Sequence, residues 1–231
     1  MDPGTAPPSG RPPLLQRLRA VPATTLFFAA CVVVFLLAER SGSTTNTETL
    51  LRFGATWRGL EWSGEWWRLG TSMFLHIGVV HLVWNLWAGF SWCEPLERAL
   101  GSARFAVVYL LSGVAGSAAS VIGHDAVSAG ASGALFGVMG SVLVLQRLTR
   151  GSWSAIWKDP SQRRNLVTMG IWLAAGPFMG FDSFAHAGGL VAGAALTWAL
   201  VPRWRASRLA LSLLGVALLV GASLRPLPGL H

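Results

Sequence analysis

Seven apolar stretches, at 21–38, 72–92, 103–122, 131–147, 165–181, 184–201 and 208–223, constrain what this chain can fold into more than any other feature. A helix rising 1.5 Å per residue needs roughly 20 apolar residues, and about 17 at the least, to cross a bilayer. Six of the runs meet that length, and the last is short for a full span. Only 12% of the 231 residues are charged, against about 25% in an ordinary soluble domain. The expected fold class is therefore all-α, a polytopic membrane helix bundle. Run 21–38 is long for a signal-peptide core, and Ala38-Glu39-Arg40 lacks a small-x-small cleavage pattern, so it is read as the first span.

The formal net charge of +8 would suit a nucleic-acid partner, but the distribution of the charge argues for the lipid bilayer instead. The basic residues fall mainly in short segments between apolar runs, where they fix orientation. With the N-terminus inside, thirteen are internal (Arg11, Arg17, Arg19, Arg98, Arg104, Arg147, Arg150, Lys158, Arg163, Arg164, Arg203, Arg205 and Arg208). Five are external: Arg40, Arg52, Arg58, Arg68 and Arg225. The bias implies a cytoplasmic N-terminus and, after seven spans, an external C-terminus. The expected location is the plasma (cell) membrane, with no nucleic-acid partner.

Residues 1–20, rich in Pro and Gly, read as a disordered basic cytoplasmic tail. Residues 21–201 read as a membrane core, and 202–231 as a loop, an additional C-terminal span and a tail. Within the core, 39–71 is one long outer loop, and its Trp57, Trp62, Trp66 and Trp67 suit an interfacial position. No internal repeat or second domain is evident. Cys31 and Cys93 form neither a disulfide framework nor a metal pattern and read as packing residues.

Polar side chains inside membrane helices are costly, and three groups stand out. His81 and Asn85 lie four apart on the second span, hence on one helical face. An interhelical hydrogen bond would explain either alone, whereas packing rarely needs both. Gly130-Ala131-Ser132-Gly133 opens the fourth span. Gly130 permits a tight turn, Gly133 removes bulk, and Ser132 falls at a helix N-terminus, where free N–H groups favour an anion. Gly133, Gly137 and Gly140 also fit a plain small-residue packing face. On the sixth span His186 heads a glycine strip, with Gly189 and Gly193 on nearly the same face. Such a strip lets another backbone approach closely and brings the imidazole within reach of a serine there.

Together the groups supply what peptide-bond cleavage requires. Ser132 can act as nucleophile and His186 as base, with the Ser132 N–H, His81 and Asn85 as oxyanion donors. Asp125 and Asp182 fall in outer loops, so a catalytic dyad is implied rather than a triad.

These motifs, in this order, resemble the rhomboid intramembrane serine proteases. The resemblance runs from about Glu65 to Gly193. It includes Trp67-Arg68, the string from His76 to Asn85, Glu97-Arg-Ala-Leu-Gly101 after the second span, and Tyr109-Leu-Leu-Ser-Gly113 in the third. It implies a six-helix rhomboid core around a water-filled cavity open to the outside, with 208–223 appended as a seventh C-terminal transmembrane helix. It also implies the Ser132/His186 dyad, the His81/Asn85 oxyanion site, no metal and no cofactor. The implied substrates are single-spanning membrane proteins cut near the outer face. Many rhomboids place a tyrosine four residues after the nucleophile; this chain has Phe136, which keeps the ring and loses the hydroxyl.

Other polar residues carry plainer expectations. His76 ties down the outer loop, Arg68 is an interfacial anchor, His124 and His231 are exposed, and Trp153 and Trp157 are inner interfacial anchors. Two other functions compete: a catalytically silent rhomboid-like protein that binds clients, and a transporter or proton channel relaying through His81, Asn85 and His186. The first usually lacks the nucleophile or base; the second lacks a repeated half here.

Overall fold

A computed structural model of the chain describes residues 12–201 and 206–225. Arg11, Arg203, Arg205 and His231, assigned above to tails and loops, lie outside the described residues. The described chain is helical, and its one β-type contact is an isolated antiparallel bridge between Thr56 and Ser128. This is an all-α polytopic bundle of a membrane protein. Its helices are α1 (Leu14–Arg19), α2 (Pro22–Ser41), α3 (Thr47–Arg52), α4 (Arg58–Trp62), α5 (Arg68–Thr71) and α6 (Gly78–Leu100). They continue as α7 (Ser102–Gly123), α8 (Ser132–Arg150), α9 (Trp153–Lys158), α10 (Pro160–Met179), α11 (Ser183–Leu200) and α12 (Ala206–Ser223).

All seven expected runs are helical, but they are not alike. α2, α7, α8 and α11 are long and apolar enough to cross a membrane. A fifth span exists if the segment Arg68–Phe74, which meets α6 at an 88° bend, is counted with it. The second expected span, 72–92, is thus not one straight helix: the chain breaks after Phe74 and restarts at Gly78, whose φ of +74° suits glycine. α10 does not meet that standard, with Gln162, Arg163, Arg164 and Asn165 in its first two turns, and α12 offers only Leu209–Ser223 as an apolar stretch.

Three boundary expectations need correction. Residues 14–19, expected in an unordered tail, form α1, which docks on α6 by an Arg17–Glu94 ion pair and with its guanidinium 4.9 Å from the Phe90 ring centre. Glu97-Arg-Ala-Leu-Gly101, expected after the second helix, lies within the last turn of α6 and its cap. There Glu97, 2% exposed, accepts from Ala23 N (2.9 Å), Thr24 N (2.8 Å), Thr24 Oγ1 (2.6 Å) and Ser102 Oγ (2.7 Å). A carboxylate at the N-terminus of α2 satisfies donors that the helix cannot pair itself. Lastly, the outer loop 39–71 is built of α3, α4 and α5.

The loop is tied down by backbone carbonyls. Arg58 donates to Val121 O (2.7 Å) and Ile122 O (2.9 Å), closing the end of α7, and Trp62 Nε1 donates to Ser223 O (3.1 Å) on α12. Arg68, expected as an interfacial anchor, is buried and donates to Leu51 O, Ala55 O and Glu65 Oε2. Its planar fork reaches several acceptors at once, which a headgroup anchor would not need. Trp57, Trp66 and Trp67 are exposed, as are Trp153 and Trp157 of α9. Cys31 and Cys93 are fully buried in the main apolar cluster beside Tyr109 and Leu96, as packing residues should be.

Helix α11 sits at the centre, packed most extensively on α8 and then on α7. Glycine makes this possible. A methyl group on Gly189 would run into the Gly133 carbonyl, one on Gly193 into the Gly137 carbonyl, and one on Gly140 into the Leu190 carbonyl. The expected small-residue face is therefore real, and α8 and α11 meet along it backbone to backbone.

Candidate active site

That seam sets the site. Ser132 is the first residue of α8 and His186 lies in the first turn of α11, so the close approach brings them together near the ends of two neighbouring helices. His186 Nε2 is 3.0 Å from Ser132 Oγ. The imidazole is 4% exposed, and its face stacks on Phe136 at 4.2 Å between ring centres with 16° between planes. Phe136 thus keeps the ring packing without a hydroxyl. The Phe181 ring adds a tilted contact at 6.3 Å. His186 Nδ1 has no hydrogen-bond partner, so no carboxylate orients the ring from behind.

Gly130, with φ +144°, precedes Ser132 in the extended stretch before α8 and donates its N–H to Ser72 O at 3.0 Å. Its bareness matters for a second reason. A methyl carbon there would lie 2.7 Å from His81 Cε1, 3.1 Å from His81 Nε2 and 3.8 Å from Ser132 Oγ. His81 and Ser132 therefore flank one small space that only glycine leaves open. His81 Nδ1 accepts the Ile77 N–H at 3.3 Å, which leaves Nε2 as the protonated nitrogen on that side. Asn85, one turn on and buried, donates one amide hydrogen to His81 O at 2.9 Å. As the first residue of a helix, Ser132 has no intrahelical partner for its own N–H.

Two expectations for neighbouring residues need revision. His76 is buried, and neither ring nitrogen has a hydrogen-bond partner; the ring packs edge-on against His81 at 5.2 Å rather than tying the outer loop. His124 is not a free loop residue: its Nε2 pairs with Asp182 Oδ1 at 3.1 Å and lies 3.4 Å from Ser120 Oγ. Asp182 caps α11 by accepting the Ala185 N–H at 2.9 Å, and also accepts from Ser128 Oγ at 2.6 Å. Burial pushes its carboxyl up, but the Ser120 and Ser128 hydroxyls, the Ala185 N–H and His124 outweigh that and hold it below the ordinary aspartate value. An acidic residue just before an apolar run is a readable helix start; its partners on other segments are not. Among the described residues no three His, Cys, Asp or Glu side chains converge as a metal site would require.

Fold and site together define a membrane helix bundle with a serine and a histidine in hydrogen-bond contact across a glycine seam. The chain belongs to the rhomboid family: residues 63–203, more than half of its length, match the family model described as the rhomboid domain. It is 39% identical over 201 residues to "Rhomboid protease GluP" of Bacillus subtilis (strain 168), covering 86% of this chain and 39% of that protein. Against "RHOMBOID-like protein 6, mitochondrial" of Arabidopsis thaliana the identity is 38% over 160 residues, 68% of this chain and 51% of the relative. "Putative rhomboid protease YdcA" of Bacillus subtilis (strain 168) is 45% identical over 85 residues, 36% of this chain and 43% of the relative. The chain thus spans between 39% and 51% of the length of these three relatives.

Proposed function

We propose that this rhomboid-family chain is an intramembrane serine endopeptidase that hydrolyses peptide bonds in or near the transmembrane segments of membrane proteins. The observation that carries this reading is the 3.0 Å separation of His186 Nε2 and Ser132 Oγ. That distance is hydrogen-bond reach between a nucleophile and its base.

Ser132 Oγ attacks the scissile carbonyl carbon while His186 Nε2 takes the hydroxyl proton. Negative charge develops on the carbonyl oxygen, beside the free N–H of Ser132, the Nε2–H of His81 and the remaining amide hydrogen of Asn85. The intermediate collapses, the C–N bond breaks, and His186 returns the proton to the leaving amine. Water then attacks the acyl-enzyme with His186 again as base, releasing the new carboxyl end and restoring Ser132. Phe136 holds the imidazole by stacking, which supports a dyad working without an orienting acid. Gly130 and Gly133 flank the nucleophile, while Gly189 and Gly193 let α11 approach.

The same reading carries the topology. Residues 21–201 form the six-helix catalytic core and 206–223 an appended helix, in the plasma membrane with the N-terminus cytoplasmic and the site opening outward. The distribution of basic residues, thirteen against five, supports that orientation. Substrates of this class are single-spanning proteins.

Cleavage in liposomes tests the proposal. A single-spanning substrate with small residues near its outer boundary should be cut by the wild-type protein and left whole by Ser132→Ala and His186→Ala. Co-purification of an uncut substrate with the wild type, at all times and substrate levels, would favour the client-binding function instead.

A further inference from the structure

The Ser132–His186 pair spans two segments of chain: the stretch 124–131 leads into Ser132 at the start of α8, and α11 carries the base. The stretch is pinned at its backbone. Ser128 exchanges both main-chain hydrogen bonds with Thr56, at 3.0 and 2.9 Å, and Gly130 N–H bonds to Ser72 O. Thr56 and Ser72 belong to the outer loop and the turn after α5, so these bonds do not join the stretch to α11.

Side chains do: the His124 ring packs edge-on against Phe184 of α11 at 6.0 Å, and Asp182 bonds to both segments. Asp182 Oδ1 accepts the N–H of Ala185, the residue before His186, and the Asp182 carbonyl accepts the N–H of His186 itself at 3.0 Å. Its second oxygen, Oδ2, accepts the hydroxyl of Ser128, four residues before Ser132, at 2.6 Å. His124 Nε2, at the start of the same stretch, reaches Oδ1 at 3.1 Å. A helix cap needs one oxygen and one N–H. Here the carboxylate also serves Ser128 and His124, both on the stretch that leads into Ser132, and the Ser120 hydroxyl on α7.

Resting on the protease reading above, we propose that Asp182 is a positioning residue. Its carboxylate locks the segment bearing Ser132 to the helix turn bearing His186, and so sets the separation across which the proton moves. It touches neither substrate nor reacting atoms. A displacement of about 1 Å between reacting groups is enough to cost on the order of 10²-fold in rate, so loss of the lock should slow chemistry without weakening substrate binding.

The test is the time course of labelling by a small fluorophosphonate in detergent, together with steady-state cleavage of a transmembrane substrate. Asp182→Ala should slow labelling and kcat by about 10- to 100-fold, leaving KM within about twofold and the final labelled fraction unchanged. Asp182→Asn still caps α11 and can still bond Ser128, so it should recover most of the rate. Ser128→Ala removes a single bond and should slow labelling several-fold, and it decides the matter if Asp182→Ala does not fold. Labelling of Asp182→Ala or folded Ser128→Ala at the wild-type rate, with only the endpoint or thermal midpoint lowered, would reduce Asp182 to a fold-supporting cap and overturn the proposal. If the wild type itself does not label, the protease reading fails and takes the lock with it.

Discussion

Phe136 and Asn85 pose the sharpest questions among single residues, since each departs from an ideal arrangement. Phe136 stacks on the His186 imidazole at 4.2 Å but offers no hydroxyl. Restoring one with Phe136→Tyr should alter the cleavage rate by far less than Ser132→Ala does, because the ring contact is already made. A variant that gained activity from nothing would mean that the natural chain is not a working enzyme. Asn85 has one amide hydrogen tied to the His81 carbonyl and one free. Asn85→Ala should lower kcat by roughly 10²-fold with little change in KM, as removal of an oxyanion donor does. Ser132, His186 and His81 were legible in the sequence because polar side chains in apolar helices announce themselves. Arg68, His124 and Asp182 were not. Their roles depend on carbonyls, a hydroxyl and a carboxylate from segments 13 to 58 residues away, which local patterns do not encode.

Among elements, the α8–α11 seam decides whether the site exists. Gly189 and Gly193 face backbone carbonyls, which cannot swing aside as a side-chain tip can. Gly189→Val should therefore separate the helices, lower stability by about 1–3 kcal/mol or more and abolish cleavage, while Gly215→Val on α12, where a methyl meets nothing within 4 Å, should be tolerated. The seam was readable as glycine spacing, and the expected Ser132–His186 contact already implied that it joins the fourth and sixth spans; the register, Gly189 on Gly133 and Gly193 on Gly137, was not readable. A second element-level effect lies in α4. Glu61 is 1% exposed, and burial pushes its carboxyl up to about 7, against the pull of the Trp57 N–H and the Arg68 charge. The folded state thus keeps a proton that the unfolded chain releases near 4.5. This contribution to stability is complete below that pH and disappears as pH rises through about 7. At 1.36 kcal/mol per unit it amounts to about 2–4 kcal/mol. Denaturation midpoints of the wild type should fall across that window, and those of Glu61→Gln should stay level. Parallel curves would remove Glu61 from the account of pH stability.

On the scale of the whole molecule, the order of apolar runs foretold an all-α membrane bundle, and every run carries a helix, though 72–92 is broken before Gly78. What the runs concealed was their inequality. Hydropathy measured each run alone and missed the 88° break before α6, whereas the charged first turns of α10 were already in the sequence, just ahead of its apolar run. α1 escaped notice because six residues cannot form a stable helix alone; the Arg17–Glu94 pair and the Phe90 ring give it a dock. The family match at 63–203 covers the segment that contains the serine, the histidine and the seam between them. The most direct test of the bundle as a protease is to label the purified protein with a fluorophosphonate and map the adduct by peptide mass spectrometry. The adduct should sit on Ser132 alone, be absent from Ser132→Ala and be strongly reduced in His186→Ala. Undiminished labelling of Ser132→Ala, or an adduct confined to another residue, would contradict the assignment of this pair as the reactive centre.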